Sequence, residues 1–370
     1  MDLKNFESEI SKTGFVLENK IARLLKSNGW TVISNRYYVD DHQESVREID
    51  IVGYRVAKVQ HFDVCTTLLI SCKKSESNIW ALLARTIDKN DPNTDWWPLH
   101  TWTNDKALQY EISNIGFAKR YHEEMILDGL VEPLRFPEVD VFAFQEMNKV
   151  KGTPKNDSPI FNSITSLMKA QAYEQTALPN RKKTPAIYQF NLISIIDSGL
   201  VRLKFENDNI AASSIESEHY IARYIVQKKE TFSRIRFILA DKFDTYIKEY
   251  ESLHRKNCVY FNNLCNEFFA KSIKETKRTQ VFIDIFRKRV SWFLSWQIKK
   301  NLNITVELDD LNISWRNDEN IAVIAGPYTE EGEKLLNNDK LSRQKVSDAL
   351  KELYRYEGKF IFSEDEYIPF

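Results

Sequence analysis

The stretch Arg47 to Ser75, REIDIVGYRVAKVQHFDVCTTLLISCKKS, carries charge where an extended chain should not waste it. The two-residue period of a strand puts Glu48, Asp50 and Val52 on one face and Arg47, Ile49 and Ile51 on the other. In the run Thr66 to Lys73, Leu68, Ile70 and Cys72 share one face, and Thr67, Leu69, Ser71 and Lys73 the other. An acid and a lysine late in apolar strands are costly unless something pairs them or uses them. The expectation is two strands joined by a longer connection through Arg55 to Cys65, with Asp50 and Lys73 meeting beside a divalent metal.

The flanking elements must position that pair. Gly14 to Asn28 reads as an amphipathic helix with Leu17, Ile21, Leu24 and Leu25 at helical spacing, Thr13 able to cap its start and Gly29 its end. Glu18 falls at the margin of its apolar stripe, on the row of Ala22 and Leu25. Trp30 to Asn35 predicts a first strand. Ser75 can cap a helix whose buried face holds Ile79, Leu82, Leu83, Thr86 and Ile87, and Glu76 lies on that face. An aromatic loop (Trp96, Trp97, Trp102), a helix over Lys106 to Leu127 and a strand over Val139 to Phe144 follow.

The order and spacing of Leu17-Glu18, Glu48-Ile49-Asp50 and Ser71-Cys72-Lys73 resemble the PD-(D/E)xK nuclease superfamily, above all its Mrr-type and junction-resolvase-like members. The resemblance covers roughly the first 90 of 370 residues. It implies an α/β fold with a restriction-endonuclease-like αβββαβ core, an additional α+β C-terminal region, and a Mg2+ site in which Mn2+ can substitute. Asp50 would be the indispensable metal ligand, the backbone carbonyl of Cys72 would add a second oxygen, and Glu18 would reach the metal or its water from the first helix. Lys73 would orient or help deprotonate the attacking water, or steady developing charge. The chain departs from the pattern at Ser71, where a Glu or Gln is usual. Some members carry Ser there and recruit a carboxylate from the following helix, which makes Glu76 the first candidate for that role and Asp88 the second.

Size and composition set the frame. At 370 residues, with 42% apolar and 12% aromatic side chains, the chain is long enough for two or more cores. Lys149 to Ser158, KVKGTPKNDS, reads as a linker. The expected division is a nuclease-like domain over 1–150, a β-rich region over 151–240 completing or extending the first sheet, and a helical and mixed region over 241–370. Past the linker come a helix over Pro159 to Ala177, β-rich runs near 187–196, 201–205, 220–226 and 235–239, and two long helices from Asp241 to Lys300. The tail reads as short strands near 304–307, 321–324 and 359–362 with a helix over Ser342 to Tyr354. The net charge is −1, yet 271–300 holds nine basic and two acidic residues, and 302–370 eight basic and fifteen acidic. Arg181, Lys182, Lys183, Lys277, Arg278, Arg287 and Arg289 are therefore candidate phosphate contacts. Four cysteines without a CxxC pair, no zinc-spaced histidines, no apolar signal core and no long apolar run predict a cytoplasmic protein that does not enter a membrane.

The favoured expectation is a Mg2+-dependent endonuclease cutting DNA, taken as double-stranded, in restriction or phage defence, as a homodimer or with a partner protein of a defence system. The alternative is a catalytically impaired module of the same fold that binds nucleic acid or a protein partner. A third reading makes the charged strand residues purely structural, with Asp50 pairing with Arg36 or Arg47, Glu48 with a nearby cation, and the tryptophans forming a small core.

Overall fold

The computed structural model describes residues 3–40, 44–129 and 132–364. In chain order the elements begin with α1 (Leu3–Ser11), α2 (Gly14–Ser27), β1 (Thr31–Val39), β2 (Val46–Val59), β3 (Phe62–Arg85) and β4 (His100–Thr103). They continue with α3 (Lys106–Ile112), α4 (Phe117–Leu127), β5 (Asp140–Asn148), α5 (Ser158–Arg181), β6 (Ala186–Glu206), β7 (Asn209–Ser214), β8 (Ser217–Val226) and β9 (Lys229–Leu239). The rest is α6 (Phe243–Lys271), α7 (Thr276–Thr279), α8 (Ile283–Leu302), β10 (Asn312–Arg316), β11 (Ile321–Ala325), α9 (Glu330–Asn338), α10 (Lys340–Tyr354) and β12 (Phe360–Ser363).

The chain divides into two compact units, one of 1–105 and 115–260, the other of 106–114 and 261–370, so the boundary falls within α6. The first unit is built on a mixed sheet in the order β1-β2-β3-β6-β9-β8, with β5 added to β3, and β4 and β7 to β6. The expected linker, 149–158, lies inside this unit between β5 and α5, and the β-rich region joins its sheet. β3 and β6 run parallel, and the connection between them carries α5, whose Ile160, Ile164, Leu167 and Met168 are buried with Leu69, Leu82, Phe190 and Leu192 of those two strands. In the second unit β10, β11 and β12 form a small sheet, and Phe286, Val290, Leu294 and Ile298 of α8 share its core with Leu350 and Tyr354 of α10.

Several expectations are corrected. β2 and β3 are joined by a two-residue hairpin at Gln60 and His61, with Gln60 at φ 51°, so the predicted longer connection is strand. The helix expected after Ser75 is absent, because β3 continues to Arg85. The Ser75 cap does form in part, its Oγ accepting from Asn78 N at 3.2 Å. The chain then returns to the sheet, where residues 79–84 pair with β6 on one side and 78–85 with β5 on the other. Trp80, Ala81, Leu82 and Ala84 are all buried. A short, continuously apolar run fits a strand covered on both faces as well as a buried helix, and tertiary pairing decides. The predicted helix over 106–127 breaks into α3 and α4 at Gly116, φ 80°. Residues 304–307 form no strand, whereas β10 takes the place beside β11.

A bulge after Lys74 shifts the register, for Lys74 faces Asp197 but Ile79 faces Gly199. A Cβ on Gly199 would stand 2.7 Å from Ile79 Cγ2. Gly199→Ala should therefore destabilise the protein by about 1–3 kcal/mol through overpacking, and Ile79→Ala in the same chain should recover part of that loss. Urea denaturation of the two variants measures both.

Candidate functional site

The site forms where one strand pairing stops. β2 and β3 pair from Val59↔Phe62 as far as Ile51↔Ile70 and no further, while β3 goes on pairing with β6 through Cys72, Lys73 and Lys74. The Cys72 amide thus loses its main-chain acceptor on the β2 side, and a buried N–H left unpaired costs about 1–3 kcal/mol. Asp50 takes it: Cys72 N donates to Asp50 Oδ2 at 2.6 Å, a short charge-assisted bond that fixes the carboxylate. Lys73 Nζ stands 3.8 Å from the same oxygen, with the lysine side chain 31% and the aspartate 20% exposed. Across β1, Asn35 adopts a left-handed conformation (φ 55°) between the pairs Ser34↔Ile51 and Arg36↔Ile49, opposite Asp50.

α2 brings Glu18 to this pair. Its Leu17, Ile21, Ala22 and Leu25 are buried, and Leu25 reaches within 3.4 Å of where a Gly53 Cβ would lie, so the missing side chain lets the helix settle on the strand. Thr13 precedes α2 without capping it, its hydroxyl donating instead to Ile10 O at 2.6 Å. Burial, then repulsion from Asp50 and Glu48, raises the Glu18 pKa against the opposing pull of Lys73. Asp50, Lys73 and Glu48 thus all lie near enough to act on the charge of Glu18. Neither structural partner foreseen for Asp50 takes that part, for Arg36 bonds Glu174 at 3.0 Å and Arg47 bonds Asp40 at 2.8 Å. Glu48 accepts a hydrogen bond from Asn35.

The remaining foreseen groups lie differently. Ser71 is buried, its Oγ without a partner among the described residues, in register with Ser194, which bonds Ser163 of α5 at 2.9 Å. Glu76 is not on a helix; it sits in β3 at the irregularity after Lys74, 64% exposed, 3.9 Å from Lys74 Nζ. Asp88 is exposed and accepts from Asn90 N, closing a turn beyond β3. No group of three or more His, Cys, Asp or Glu side chains placed to hold a metal occurs among the described residues. Two carboxylates and one backbone carbonyl are nevertheless a set that Mg2+ uses, since it keeps several waters and completes its shell with substrate phosphate oxygens. The mutual repulsion of Glu18 and Asp50 is what a cation there would relieve.

Six of the seven cationic residues foreseen as phosphate contacts are engaged within the protein. Arg181 pairs with Glu174 (2.6 Å), Lys182 with Asp63 (2.7 Å) and Arg289 with Glu352. Arg278 is buried between Glu111 and Glu275, and Arg287 donates to Leu311 O at 2.7 Å. Lys183 donates to Pro179 O, and Lys277 is exposed. Trp96 and Trp97 pack against Phe136 as a small core, and Trp102 lies in β4 against Tyr188.

A second polar cluster escaped the sequence reading. A small cavity in the first unit is lined by His100, His122, His219, Arg234 and Arg236 together with Gln189, Asn191 and Tyr250. His122 Nε2 and His219 Nε2 meet the carbonyls of Pro98 (3.4 Å) and Glu132 (2.9 Å), and since a carbonyl only accepts, both Nε2 atoms carry hydrogen. Arg236 pairs with Glu249 at 2.7 Å and lies over the Tyr246 ring. The Arg-Ile-Arg alternation at 234–236, in an apolar strand, is the same kind of signal that singled out Asp50.

Compared with known proteins, the chain matches no family model, no curated protein and no solved structure. No helix among the described residues is long and apolar enough to cross a membrane.

Two outcomes follow from the titrations. A carboxyl with a raised pKa adds stability while protonated and loses it as pH rises through that pKa. In EDTA at pH 7–8, Glu18→Gln should melt about a degree or two above wild type, a modest gain because the group is partly solvated, and the difference should vanish near pH 4. Conversely, burial pushes His100 down to about 4 and His122 to about 3, and His219 falls well below its ordinary value, aided at His122 by Arg234 and at His219 by Arg236. Unfolding protonates them, so stability should fall from pH 6.5 toward 4, by about 1.4 kcal/mol per pH unit for each histidine involved. Melting curves across that range should show the fall, shallower in His122→Asn.

Proposed function

We propose that the chain is a divalent-metal-dependent nuclease that hydrolyses phosphodiester bonds of DNA. The observation that carries this reading is the placement of Asp50 Oδ2 within 3.8 Å of Lys73 Nζ at the point where β2–β3 pairing ends, with both side chains reaching solvent. The element order α2-β1-β2-β3, then α5 and a β6 parallel to β3, supports a restriction-endonuclease-like αβββαβ core, with β4, α3, α4 and β5 inserted between β3 and α5. Asp50, Glu18 and the Cys72 carbonyl would hold Mg2+, which when bound supplies charge neutralisation for the phosphate. The protein's own part is positional. The Cys72 amide locks the Asp50 carboxylate, and Lys73 offers a cation beside it for the oxygen that gains charge. α2 would supply the second carboxylate, Glu18, whose titration responds to the charges of Asp50 and Lys73.

Ser71 and Glu76 favour a second reading. With Ser71 sealed in the interior and Glu76 turned toward Lys74, neither supplies the further charge that many such sites possess. A module of this fold that binds nucleic acid without cutting it fits those two positions.

Incubating supercoiled plasmid with the protein and Mg2+ or Mn2+ separates the readings. Cutting by wild type that falls about a hundredfold or more in Asp50→Asn and in Lys73→Ala supports the nuclease. DNA bound equally by all three proteins, with no nicking under either metal, supports the binding module.

A further inference from the structure

We propose that the outer face of α8, in the second unit, is a binding surface for single-stranded nucleic acid, with Trp292 and Trp296 as stacking platforms for bases and Lys288, Lys299 and Lys300 as phosphate contacts. The inference does not need the nuclease reading, for its residues belong to a different unit from Asp50 and Lys73.

α8 buries one complete stripe. Phe286, Val290, Leu294 and Ile298, spaced four apart, enter the core of the second unit. The helix therefore already has its apolar stripe, and its other side should be polar. Two tryptophans stand there instead, Trp292 at 76% and Trp296 at 42% exposure. Tryptophan is among the most buried side chains on average, and two such rings left in water on neighbouring turns form an apolar platform that the fold itself does not use.

The charges fall on the same face. At about 100° per residue, Lys288, Trp292, Trp296, Lys299 and Lys300 all lie within an arc of roughly 120°. Lys288, Lys299 and Lys300 are exposed, and none forms an ion pair with a carboxylate among the described residues. Lys300 Nζ instead lies 4.8 Å from the centre of the Trp296 ring. The neighbouring arginines have been spent, Arg287 on Leu311 O and Arg289 on Glu352, so the cations left over are those interleaved with the tryptophans. Asp284 and Asp309 border the depression beside Trp292 and would repel phosphate, which directs a strand from Lys288 across the rings toward Lys299 and Lys300.

That pattern selects its ligand. Two flat rings flanked by cations that form no ion pair among the described residues suit a polyanion with exposed π-faces, which a single strand has and a duplex hides within its stack. A helix that lies on a membrane presents a continuous apolar face with cations at its rim, whereas the continuous apolar face of α8 is inside the protein.

The test is fluorescence anisotropy of a labelled 20-nucleotide oligo-dT with the full chain in EDTA, which prevents cutting. Wild type should bind, quench tryptophan emission, and weaken steeply with NaCl. Trp292→Ala/Trp296→Ala should bind about tenfold or more weakly. Lys288→Gln/Lys299→Gln/Lys300→Gln should lower the slope of log K against log salt by about 2. The oligonucleotide measurement involves no cutting, so a failure to cut plasmid would leave this result standing. All these positions are on the helix surface, and unchanged melting temperatures will show that the variants are folded. Oligonucleotide binding that is absent, or equal in wild type and both variants, overturns the proposal. So does capture by phosphatidylserine vesicles without oligonucleotide binding.

Discussion

A single backbone amide organises the candidate site. β3 has neighbours on both sides up to Ile70, and beyond that it keeps β6 but loses β2. The buried N–H of Cys72 then needs an acceptor, and a carboxylate reaching across from β2 is a strong one. The same bond that repairs the ladder also fixes Asp50 at the mouth of the gap, so its orientation costs no further ordering when a ligand arrives. Lys73, the next residue, brings its amine to 3.8 Å from the same carboxylate oxygen.

The two charged clusters of the first unit show how surroundings turn similar sequence features to different ends. Arg234 and Arg236, like Asp50 and Lys73, interrupt apolar strands. Around the arginines, histidines are driven neutral by burial and by the guanidinium charges, and their Nε2 hydrogens go to backbone carbonyls. That arrangement lies largely inside the first unit, with His122, His219 and Arg236 buried. Around Asp50 the side chains reach solvent and acid outnumbers base, which leaves an excess of negative charge that a cation can answer.

Much of this was legible in the sequence where local pattern and final packing agree. The α2 helix, the acid-bearing and lysine-bearing strands, and the meeting of Asp50 with Lys73 follow from periodicity and from the cost of stranded charge. The second half of β3 was not legible, because Ser75 makes a helix-like cap and the apolar run after it has no decisive period. Only the strands on either side of it, β5 and β6, settle its form, and they come more than fifty residues later in the chain. With that helix gone, Glu76 loses the position that made it a ligand candidate. Counting cations in 271–300 likewise could not tell which are consumed by Glu111, Glu275 and Glu352 and which stay free beside Trp292 and Trp296.

If Asp50, with Glu18 and Lys73 beside it, makes one site for a divalent cation, the metal-free protein should take up one Mn2+. Electron paramagnetic resonance of Mn2+ titrated into the metal-free protein counts bound ions directly. The expected result is one Mn2+ per chain, displaced by excess Mg2+ and lost in Asp50→Asn. Equal Mn2+ binding by wild type and Asp50→Asn, or none by either, would contradict it.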